Sequence, residues 1–311
     1  MTVAFLFPGQ GSQRPDMLHS LPDHPEVTRT LAEASTVLGR NVQELDAEGV
    51  LDSTVSTQLS LYTAGVAITR ALAAEGALPD AAAGLSIGAY AAASAVGALD
   101  FADGLRLVRL RSTTMEEAFP SGFGLVAVVG LDEEQIAELV QAASTPRDRV
   151  FVGNINAPRQ IVVAGADAGL TRLIDLAQRA GCTKAERLMV RIPSHCALLE
   201  DVASRLVDAI RDLPVGPVSG HYVTNRRARA TRVLERIRED VATNIAHPVR
   251  WHDSTQVLVE MGTQLFVEIA PGRVLSNLAT EAFPQVPAIA MAALPFEAVV
   301  RQIRDCQSNR T

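Results

Sequence analysis

The sequence predicts an α/β fold, with a larger α/β-hydrolase-like domain built on a mostly parallel sheet and an inserted ferredoxin-like α+β subdomain. Two observations predict this class. Short apolar strands at Thr2–Phe7 and Ala81–Leu85 alternate with helical patterns at Glu26–Leu38 and Ser56–Glu75, an order typical of parallel sheets covered by helices on both faces. After Phe119 the order changes to β-α-β-β-α-β, which is the order of a split βαβ unit.

The second pattern occupies the middle of the chain. Its predicted elements are Leu125–Gly130 (strand), Asp132–Ala143 (helix), Val150–Asn154 and Gln160–Gly165 (strands), Asp167–Gly181 (helix) and Glu186–Ile192 (strand). Asp132 and Gln135 are spaced as a capping box at the start of the first of these helices. We therefore predict that residues 123–192 form the inserted subdomain and that residues 1–122 and 193–311 form the large catalytic domain. Two domains that face each other are a common place for a ligand cleft.

Composition indicates an ordinary globular protein. The 311 residues are 48% hydrophobic and 20% charged, with a formal net charge of −7, which gives no electrostatic footprint for nucleic acid. Cys182, Cys196 and Cys306 form neither a disulfide framework nor a metal-binding pattern. No stretch approaches the ~20 apolar residues of a membrane span, and Val3–Phe7 is too short for a signal peptide. The composition predicts a soluble cytoplasmic protein with no metal, nucleic-acid or membrane partner.

One short motif, Gly84-Leu85-Ser86-Ile87-Gly88, lies between a predicted strand and an alanine-rich helix. This G-x-S-x-G pattern is typical of a nucleophile elbow, a sharp turn that holds a serine hydroxyl at a helix N-terminus. Glycines at both ends tolerate the strained turn and the close approach of neighbouring backbone. The pattern alone arises by chance roughly once in ten chains of this length, so other residues must support it.

An arginine interrupts the apolar face of the predicted helix Phe101–Phe119. At 100° per residue, Arg111 falls in the middle of the apolar arc, whereas Arg106 and Arg109 fall on the opposite one. A guanidinium there must be paired or must face a cavity, because an unpaired buried charge costs several kcal/mol. Two interpretations stay open: a structural ion pair with a core carboxylate, or a clamp for a carboxylate of the substrate.

Two further features lie in the last third of the chain. His195 follows the last strand of the predicted insertion, just before the predicted helix Ala197–Leu213. A histidine at a domain junction is more often structural than catalytic, but the point of re-entry into the larger domain favours a role in a site. The segment Arg226–Arg238 carries six arginines, which predict either a solvated basic helix face or a docking patch for phosphates or an acidic carrier protein.

Several separated motifs occur in one order along the chain. They are Pro8–Gln13, the serine elbow, Leu110–Ser112, Asn154–Gly165, Pro193–Leu198, Asn244–Trp251 and Glu268–Gly272. Together they resemble the malonyl-CoA:acyl carrier protein transacylase family over nearly the whole chain. The resemblance implies malonyl-CoA as substrate, the phosphopantetheine-type arm of an acyl carrier protein as acceptor, and no tightly bound cofactor.

The resemblance also implies roles for individual residues. Ser86 corresponds to the nucleophile that takes up the acyl group, and His195 to its general base. Gln10 and the backbone N–H of Ile87 correspond to the oxyanion hole. Arg111 corresponds to the residue that holds the free carboxylate of the malonyl group. These residue types suit the reaction, because a thioester carbonyl needs an activated nucleophile and preorganised donors for the developing negative charge.

Three more residues are carried over from the family. Asn244 stands where the family commonly has glutamine, at the position whose backbone carbonyl orients the histidine, so the change can leave that role intact. Asn156 and Gln160 are expected to line the acyl-donor cleft.

The elbow departs from the family pattern at two positions. Where members usually read GHSLGEY, this chain reads GLSIGAY, with Leu85 and Ala89 at the changed positions. This pair resembles the epsilon-type subunit of malonate decarboxylase, a transacylase that loads malonyl onto that complex's carrier subunit. We predict this subtype, with Leu85 in substrate binding and other decarboxylase subunits as partners. The alternative is the malonyl-CoA:acyl carrier protein transacylase of fatty-acid or polyketide synthesis.

Two other classes share part of the pattern. A serine thioesterase or other α/β-hydrolase would have the elbow, but it is expected to carry an HGGG-type loop upstream and an acid before the histidine. The loop is absent, and candidate acids such as Asp132 and Asp148 lie in the predicted insertion rather than at the ends of the large sheet. A non-catalytic binding module would most simply lose the serine, the histidine or the arginine, and this chain has all three.

Overall fold

The computed structural model describes residues 2–214 and 216–308, which form two sheets flanked by helices. The strands are β1 (Thr2–Phe7), β2 (Ala81–Gly84), β3 (Phe123–Val129), β4 (Val150–Ala157), β5 (Gln160–Ala166), β6 (Lys184–Arg187), β7 (His221–Val223), β8 (Ala230–Thr231), β9 (Thr263–Glu268) and β10 (Ala288–Ala290). The α-helices are α1 (Pro25–Leu38), α2 (Thr54–Ala74), α3 (Gly88–Ala95), α4 (Phe101–Ala118), α5 (Glu133–Ala143), α6 (Asp167–Arg179), α7 (Glu200–Arg211), α8 (Leu234–Thr243), α9 (Trp251–Glu260), α10 (Val274–Ala282) and α11 (Phe296–Ser308).

The larger sheet has the strand order β10-β9-β1-β2-β7-β8. Its neighbours are parallel except for the final β7–β8 pair. Alternate residues of β1 enter different cores, because successive side chains of a strand point to opposite faces. Val3, Phe5 and Phe7 pack into one cluster, whereas Ala4 and Leu6 pack into the other. The central strand is therefore buried on both faces, as expected for a parallel sheet covered by helices, and the predicted α/β class is confirmed.

The smaller sheet is antiparallel, with the order β4-β5-β3-β6. Helices α5 and α6 cover one of its faces through a separate apolar cluster. A short bridge ties it to the rest of the molecule: the Ile155 N–H donates to the Val249 carbonyl at 2.8 Å, and the Val249 N–H donates to Gly153 at 2.8 Å. The β-α-β-β-α-β order is confirmed, and the exact domain limits of the sequence analysis remain a prediction.

Some boundaries differ from those predicted. Strand β6 ends at Arg187 rather than at Ile192, because its register with β3 ends at the Val126–Arg187 pair and the chain then leaves the sheet towards His195. The helix predicted to start at Ala197 begins as a 3₁₀ turn and becomes α-helical at Glu200.

The arginine-rich segment is not one helix. Arg226, Arg227 and Arg229 lie in the connection between the short strands β7 and β8, and Arg236 and Arg238 lie on α8. The prediction of a single basic helix face is therefore wrong for the first half of the segment. Among the described helices, none combines the length and apolar character that crossing a membrane would require.

Candidate active site

The serine elbow joins the end of β2 to the start of α3. Ser86 has a φ of +58°, in the left-handed region that costs a non-glycine residue roughly 1–3 kcal/mol. The two glycines permit this turn: a Cβ at Gly84 would lie 2.0 Å from the Gly88 carbonyl carbon, and one at Gly88 would lie 2.1 Å from the Phe7 oxygen. Ser86 thus lies at the carboxyl ends of β1 and β2, the edge where open α/β sheets bind ligands.

Ser86 and His195 form a hydrogen-bonded pair. The distance from the Ser86 Oγ to the His195 Nε2 is 2.7 Å, and the His195 Nδ1 lies 2.9 Å from the backbone oxygen of Asn244. A carbonyl oxygen can only accept, so Nδ1 carries the hydrogen and Nε2 presents its lone pair to the serine hydroxyl. The ring is therefore oriented to accept the serine proton.

His195 is held by its backbone as well as by its ring. It has a φ of +67°, and its N–H donates to the Ile245 carbonyl at 2.7 Å. The side chain is buried, and this burial, together with the positive charge of Arg111, lowers the pKa of His195 to about 4. The imidazole is accordingly neutral at pH 7, the state that a general base requires.

Arg111 reaches the same point from α4. It is fully buried, and its Nη2 donates to the Ser86 Oγ at 3.1 Å while its Nη1 donates to the Gln58 Oε1 at 2.5 Å. The guanidinium carbon lies 5.9 Å from the centre of the Tyr90 ring. Burial lowers the pKa of Arg111, since desolvation disfavours the charged form.

Among the described residues, no carboxylate neutralises this guanidinium. Arg111 forms no ion pair within the described part of the chain, and its Nε is buried without a hydrogen-bond partner. The structural ion pair considered above is therefore wrong. An isolated buried cation costs several kcal/mol, and an anionic ligand beside Ser86 would remove that cost.

One predicted oxyanion donor, the Ile87 N–H, belongs to the elbow, and the other, Gln10, lies in the loop after β1. Ile87 precedes the first residue of α3, where N–H groups have no acceptor within their own helix. A Cβ at Gly9 would lie 2.8 Å from the Leu85 oxygen, so the loop after β1 crosses the elbow just before Gln10. The Gln10 amide nitrogen is 3.4 Å from the Thr54 Oγ1, and its role in the oxyanion hole stays a prediction.

The other predicted residues are Asn156, Gln160 and Leu85. Asn156 is on β4, where its Oδ1 is buried without a partner, and Gln160 begins β5. Neither forms a hydrogen bond with the serine, the histidine or the arginine of the site. The Leu85 N–H donates to Phe7 at 2.9 Å, and the Leu85 side chain packs against the second core cluster. Substrate-binding roles for these three residues stay predictions.

The Ser86 backbone is held by a residue, Asn225, that the sequence pattern does not indicate. The Asn225 Oδ1 accepts a hydrogen bond from the Ser86 N–H at 3.0 Å. Asn225 is held in turn by the buried carboxylate of Asp240, which accepts from the Asn225 N–H at 2.9 Å and from the Tyr222 hydroxyl at 2.7 Å. Because Ala83 of β2 pairs with Val223 of β7, Asn225 lies beside the elbow. Strand β7 is too short to be predicted from its hydrophobic pattern, so the sequence does not indicate this position.

Gln58 was missed as well. It lies on α2 and is 1% exposed. Among the described residues, the Gln58 side chain and the Ser86 hydroxyl are the only side-chain groups that accept hydrogen bonds from Arg111. The sequence does contain an indication of this role. Gln58 is a polar side chain within the strongly apolar pattern of the predicted helix Ser56–Glu75, and a buried polar group needs a hydrogen-bond partner.

One group of potential metal ligands lies apart from this site. The ligand atoms of Asp16, His19 and Asp46 lie within 4.8 Å of one another. The Asp46 carboxylate already accepts the Leu18 N–H at 2.6 Å, and none of the three bonds to the serine site. Acidic groups of this kind are common at protein surfaces, so the prediction of a metal-free site stays as it was.

The fold and the site together define an α/β protein with a serine–histidine pair on a nucleophile elbow and a buried arginine beside it. The family model described as "Acyl transferase domain" matches residues 4–308. The chain belongs to this acyl transferase domain family.

Curated relatives agree with this assignment. The chain is 35% identical over 281 residues to the malonyl CoA-acyl carrier protein transacylase of Escherichia coli K12, covering 88% of this chain and 91% of the relative. It is 32% identical over 295 residues to the transacylase of the same name from Bacillus subtilis, with 93% of each chain covered. The predicted resemblance to the transacylase family is confirmed, whereas the decarboxylase subtype stays a prediction.

Solved structures give the same result for the fold. The malonyl CoA-acyl carrier protein transacylase of Coxiella burnetii superposes with a TM-score of 0.92 at 32% identity, covering 98% of this chain and 97% of that one. A malonyl-transacylase in complex with its type II PKS acyl-carrier protein superposes with a TM-score of 0.91 at 34% identity, covering 98% and 100%.

Proposed function

We propose that the protein is a malonyl-CoA:acyl carrier protein S-malonyltransferase that works through a malonyl ester on Ser86. One observation carries the proposal: the buried Arg111 guanidinium, which has no carboxylate partner among the described residues, lies 3.1 Å from the Ser86 Oγ. A substrate that presents both a reactive carbonyl and a free carboxylate would satisfy both groups at once, and a malonyl thioester is such a substrate. The names of the relatives support the same substrate.

In the first half-reaction, the Ser86 hydroxyl transfers its proton to the His195 Nε2 as its oxygen attacks the thioester carbonyl. The negative charge that develops on the carbonyl oxygen is met by the Ile87 N–H and the Gln10 amide. Each such donor contributes about 3–4 kcal/mol to lowering the barrier. The intermediate then collapses, the carbon–sulfur bond breaks, and the departing CoA thiolate takes the proton from His195.

The second half-reaction runs the same steps in reverse with a new thiol. The carrier's phosphopantetheine thiol gives its proton to His195 and attacks the malonyl ester. Collapse releases the Ser86 oxygen, which recovers the proton. Proton transfer by a positioned histidine contributes typically 10²–10⁴-fold to such steps, and the neutral imidazole at pH 7 can begin either half.

The carrier protein is the finer part of the proposal. The relatives described above are named for transfer to acyl carrier protein, and one of them is solved with a type II PKS acyl-carrier protein. We therefore favour an acyl carrier protein of fatty-acid or polyketide synthesis over the carrier subunit of malonate decarboxylase. Leu85 and Ala89 are the residues that favour the decarboxylase subtype, and a transfer assay with each carrier distinguishes the two.

A thioesterase or hydrolase is less well supported. The ring nitrogen of His195 that faces away from the serine bonds to a backbone carbonyl, not to the aspartate or glutamate expected of an α/β-hydrolase triad. The buried Arg111 is also not required for hydrolysis of a simple ester.

The test of the proposal is to incubate the purified protein with malonyl-CoA alone and to measure its intact mass. We expect an increase equal to one malonyl group in the wild type and no increase in Ser86→Ala. Ser12→Ala, which removes a hydroxyl bonded to the Gly9 carbonyl, is a matched control and should still be acylated. An unmodified wild type, or a modified Ser86→Ala, would overturn the mechanism.

A further inference from the structure

Four arginines line one pocket beside the catalytic edge of the large sheet. Arg226, Arg227, Arg229 and Arg236 surround a cavity of about 380 Å³ between the β7–β8 connection and α8. We call this cavity the basic pocket. Its volume falls within the range of roughly 300–1,000 Å³ that is typical of small-molecule sites.

Among the described residues, no carboxylate forms an ion pair with the four guanidinium groups of the basic pocket. Some other arginines of the chain are paired, such as Arg70 with Glu33 at 2.6 Å and Arg106 with Asp103 at 2.8 Å. Two acids, Glu239 and Asp240, also line the cavity. Asp240 is buried and accepts from backbone N–H groups and a tyrosine hydroxyl. Neither acid forms an ion pair with the four arginines, which outnumber the two acids in the lining of the cavity.

Four arginines around one cavity concentrate positive charge in a chain whose formal net charge is −7. Like charges that are concentrated in one concave site repel one another and raise the local concentration of anions. Arginine forks bind phosphate oxygens with two parallel hydrogen bonds. The basic pocket therefore has the chemistry of a phosphate site.

The basic pocket adjoins the catalytic residues. The Asn225 side chain bonds to the Ser86 N–H, and Arg226 is the next residue, so its Cα lies within about 11 Å of the Ser86 nitrogen at standard bond lengths. Thr243, which also lines the cavity, immediately precedes the Asn244 whose carbonyl holds His195. A flexible ligand bound in the basic pocket could therefore extend to the serine.

We propose that the basic pocket binds the phosphate groups of the acyl donor's coenzyme while the acyl end reaches Ser86. This inference rests on the proposed malonyl-CoA specificity. The pantetheine arm of coenzyme A, extended at standard bond lengths, is roughly 16 Å long, which is enough to join the two places. A concave site suits a compact polyanion better than the broad surface of an acidic protein.

The test compares two donors that share the malonyl-pantetheine portion, of which only malonyl-CoA carries the phosphate-bearing nucleotide. In Arg227→Gln/Arg229→Gln, we expect the KM for malonyl-CoA to rise about tenfold, because two charge contacts of solvent-exposed arginines are lost, with kcat nearly unchanged. The KM for malonyl-pantetheine, which lacks the nucleotide phosphates, should not change. The control Arg179→Gln/Arg205→Gln removes the same charge at exposed residues outside the pocket and should leave both KM values unchanged.

Calorimetric binding of free coenzyme A separates this inference from the proposed function. The double pocket variant should bind coenzyme A about tenfold more weakly than the wild type and the control variant, whether or not Ser86 is acylated. Equal affinities in all three proteins, or equal KM increases for both donors, would overturn the pocket assignment without affecting the acyl-enzyme. A rise in the KM for the carrier protein alone would overturn it in favour of carrier docking.

Discussion

Replacing Arg111 by alanine tests the origin of substrate selectivity. The guanidinium is fully buried and hydrogen-bonded to Ser86 and Gln58, and no carboxylate in the described part of the chain pairs with it. When malonyl-CoA binds, its carboxylate is expected to become the missing partner. Removal of one partner of a buried ion pair costs about 3–5 kcal/mol, which corresponds to roughly two to three and a half orders of magnitude in kcat/KM.

The assay is the ratio of kcat/KM for malonyl-CoA to that for acetyl-CoA. In Arg111→Ala the malonyl value should fall by the amount above, whereas the acetyl value should hold or rise, since acetyl has no carboxylate and no longer meets an unpaired cation. Arg111→Lys keeps the charge but loses the fork, and it should fall between wild type and alanine.

Arg109→Ala is the matched control for this series. Arg109 is on the same helix but on its exposed face, so both kcat/KM values should stay within the range of the wild type. If Arg111→Ala lowers malonyl and acetyl transfer equally, Arg111 is a structural support for Ser86 and not the carboxylate clamp.

Three further predictions follow from the geometry of the site. Because the folded pKa of His195 is about 4 and its unfolded value is about 6.5, the acid limb of kcat/KM for acylation should lie near pH 4. As the pH falls, the His195 of the unfolded chain is protonated before that of the folded chain. The protein should therefore lose up to about 3 kcal/mol of its free energy of unfolding between pH 6.5 and pH 4, which urea unfolding measures. An acid limb of kcat/KM near pH 6.5 would refute the lowered pKa and, with it, this loss of stability. Asn225→Ala should lower kcat roughly 10–100-fold and the free energy of unfolding by about 1–3 kcal/mol, and unchanged kcat would show that Ser86 does not need this hydrogen bond. Gly88→Ala should lower the free energy of unfolding by more than about 3 kcal/mol because its Cβ would meet the Phe7 carbonyl, whereas Gly181→Ala, at an open position, should cost about 1 kcal/mol through its left-handed φ.

Much of the fold could be predicted because its elements have strong periodic patterns. The apolar strand β1, the long helix α2 and the capping box of α5 each indicate their structure locally. Arg111 could be identified for the same reason, since a charge in the middle of an apolar helical arc is visible in sequence. These patterns depend only on residues that are close together in the sequence.

The parts that were missed depend on contacts between distant segments. Strands β7 and β8 contain three and two residues, too few for a pattern, so the hairpin that carries Asn225 was not predicted. The Ser86–Asn225 hydrogen bond joins residues separated by 139 positions. The end of β6 at Arg187 is also set by its partner strand and not by the sequence of the segment itself.

In the active site, too, local features could be predicted from the sequence and long-range contacts could not. The turn that holds Ser86 could be predicted from two glycines, and the resemblance to the family supplied His195. The support beneath the site, from Asp240 through Asn225 to the serine N–H, is buried hydrogen bonding that only the folded chain assembles. The only local indication of this hydrogen-bond network is an aspartate, Asp240, among the apolar positions of α8.

The central claim is that Ser86 carries a malonyl group that a carrier thiol, rather than water, removes. The most direct test is to form the malonyl-enzyme, remove the remaining CoA by gel filtration, and add acyl carrier protein bearing its phosphopantetheine arm. We expect malonyl to appear on the carrier thiol as fast as it leaves Ser86, with free malonate as a minor product. Release of malonate at the same rate with and without carrier would contradict the claim and identify a hydrolase.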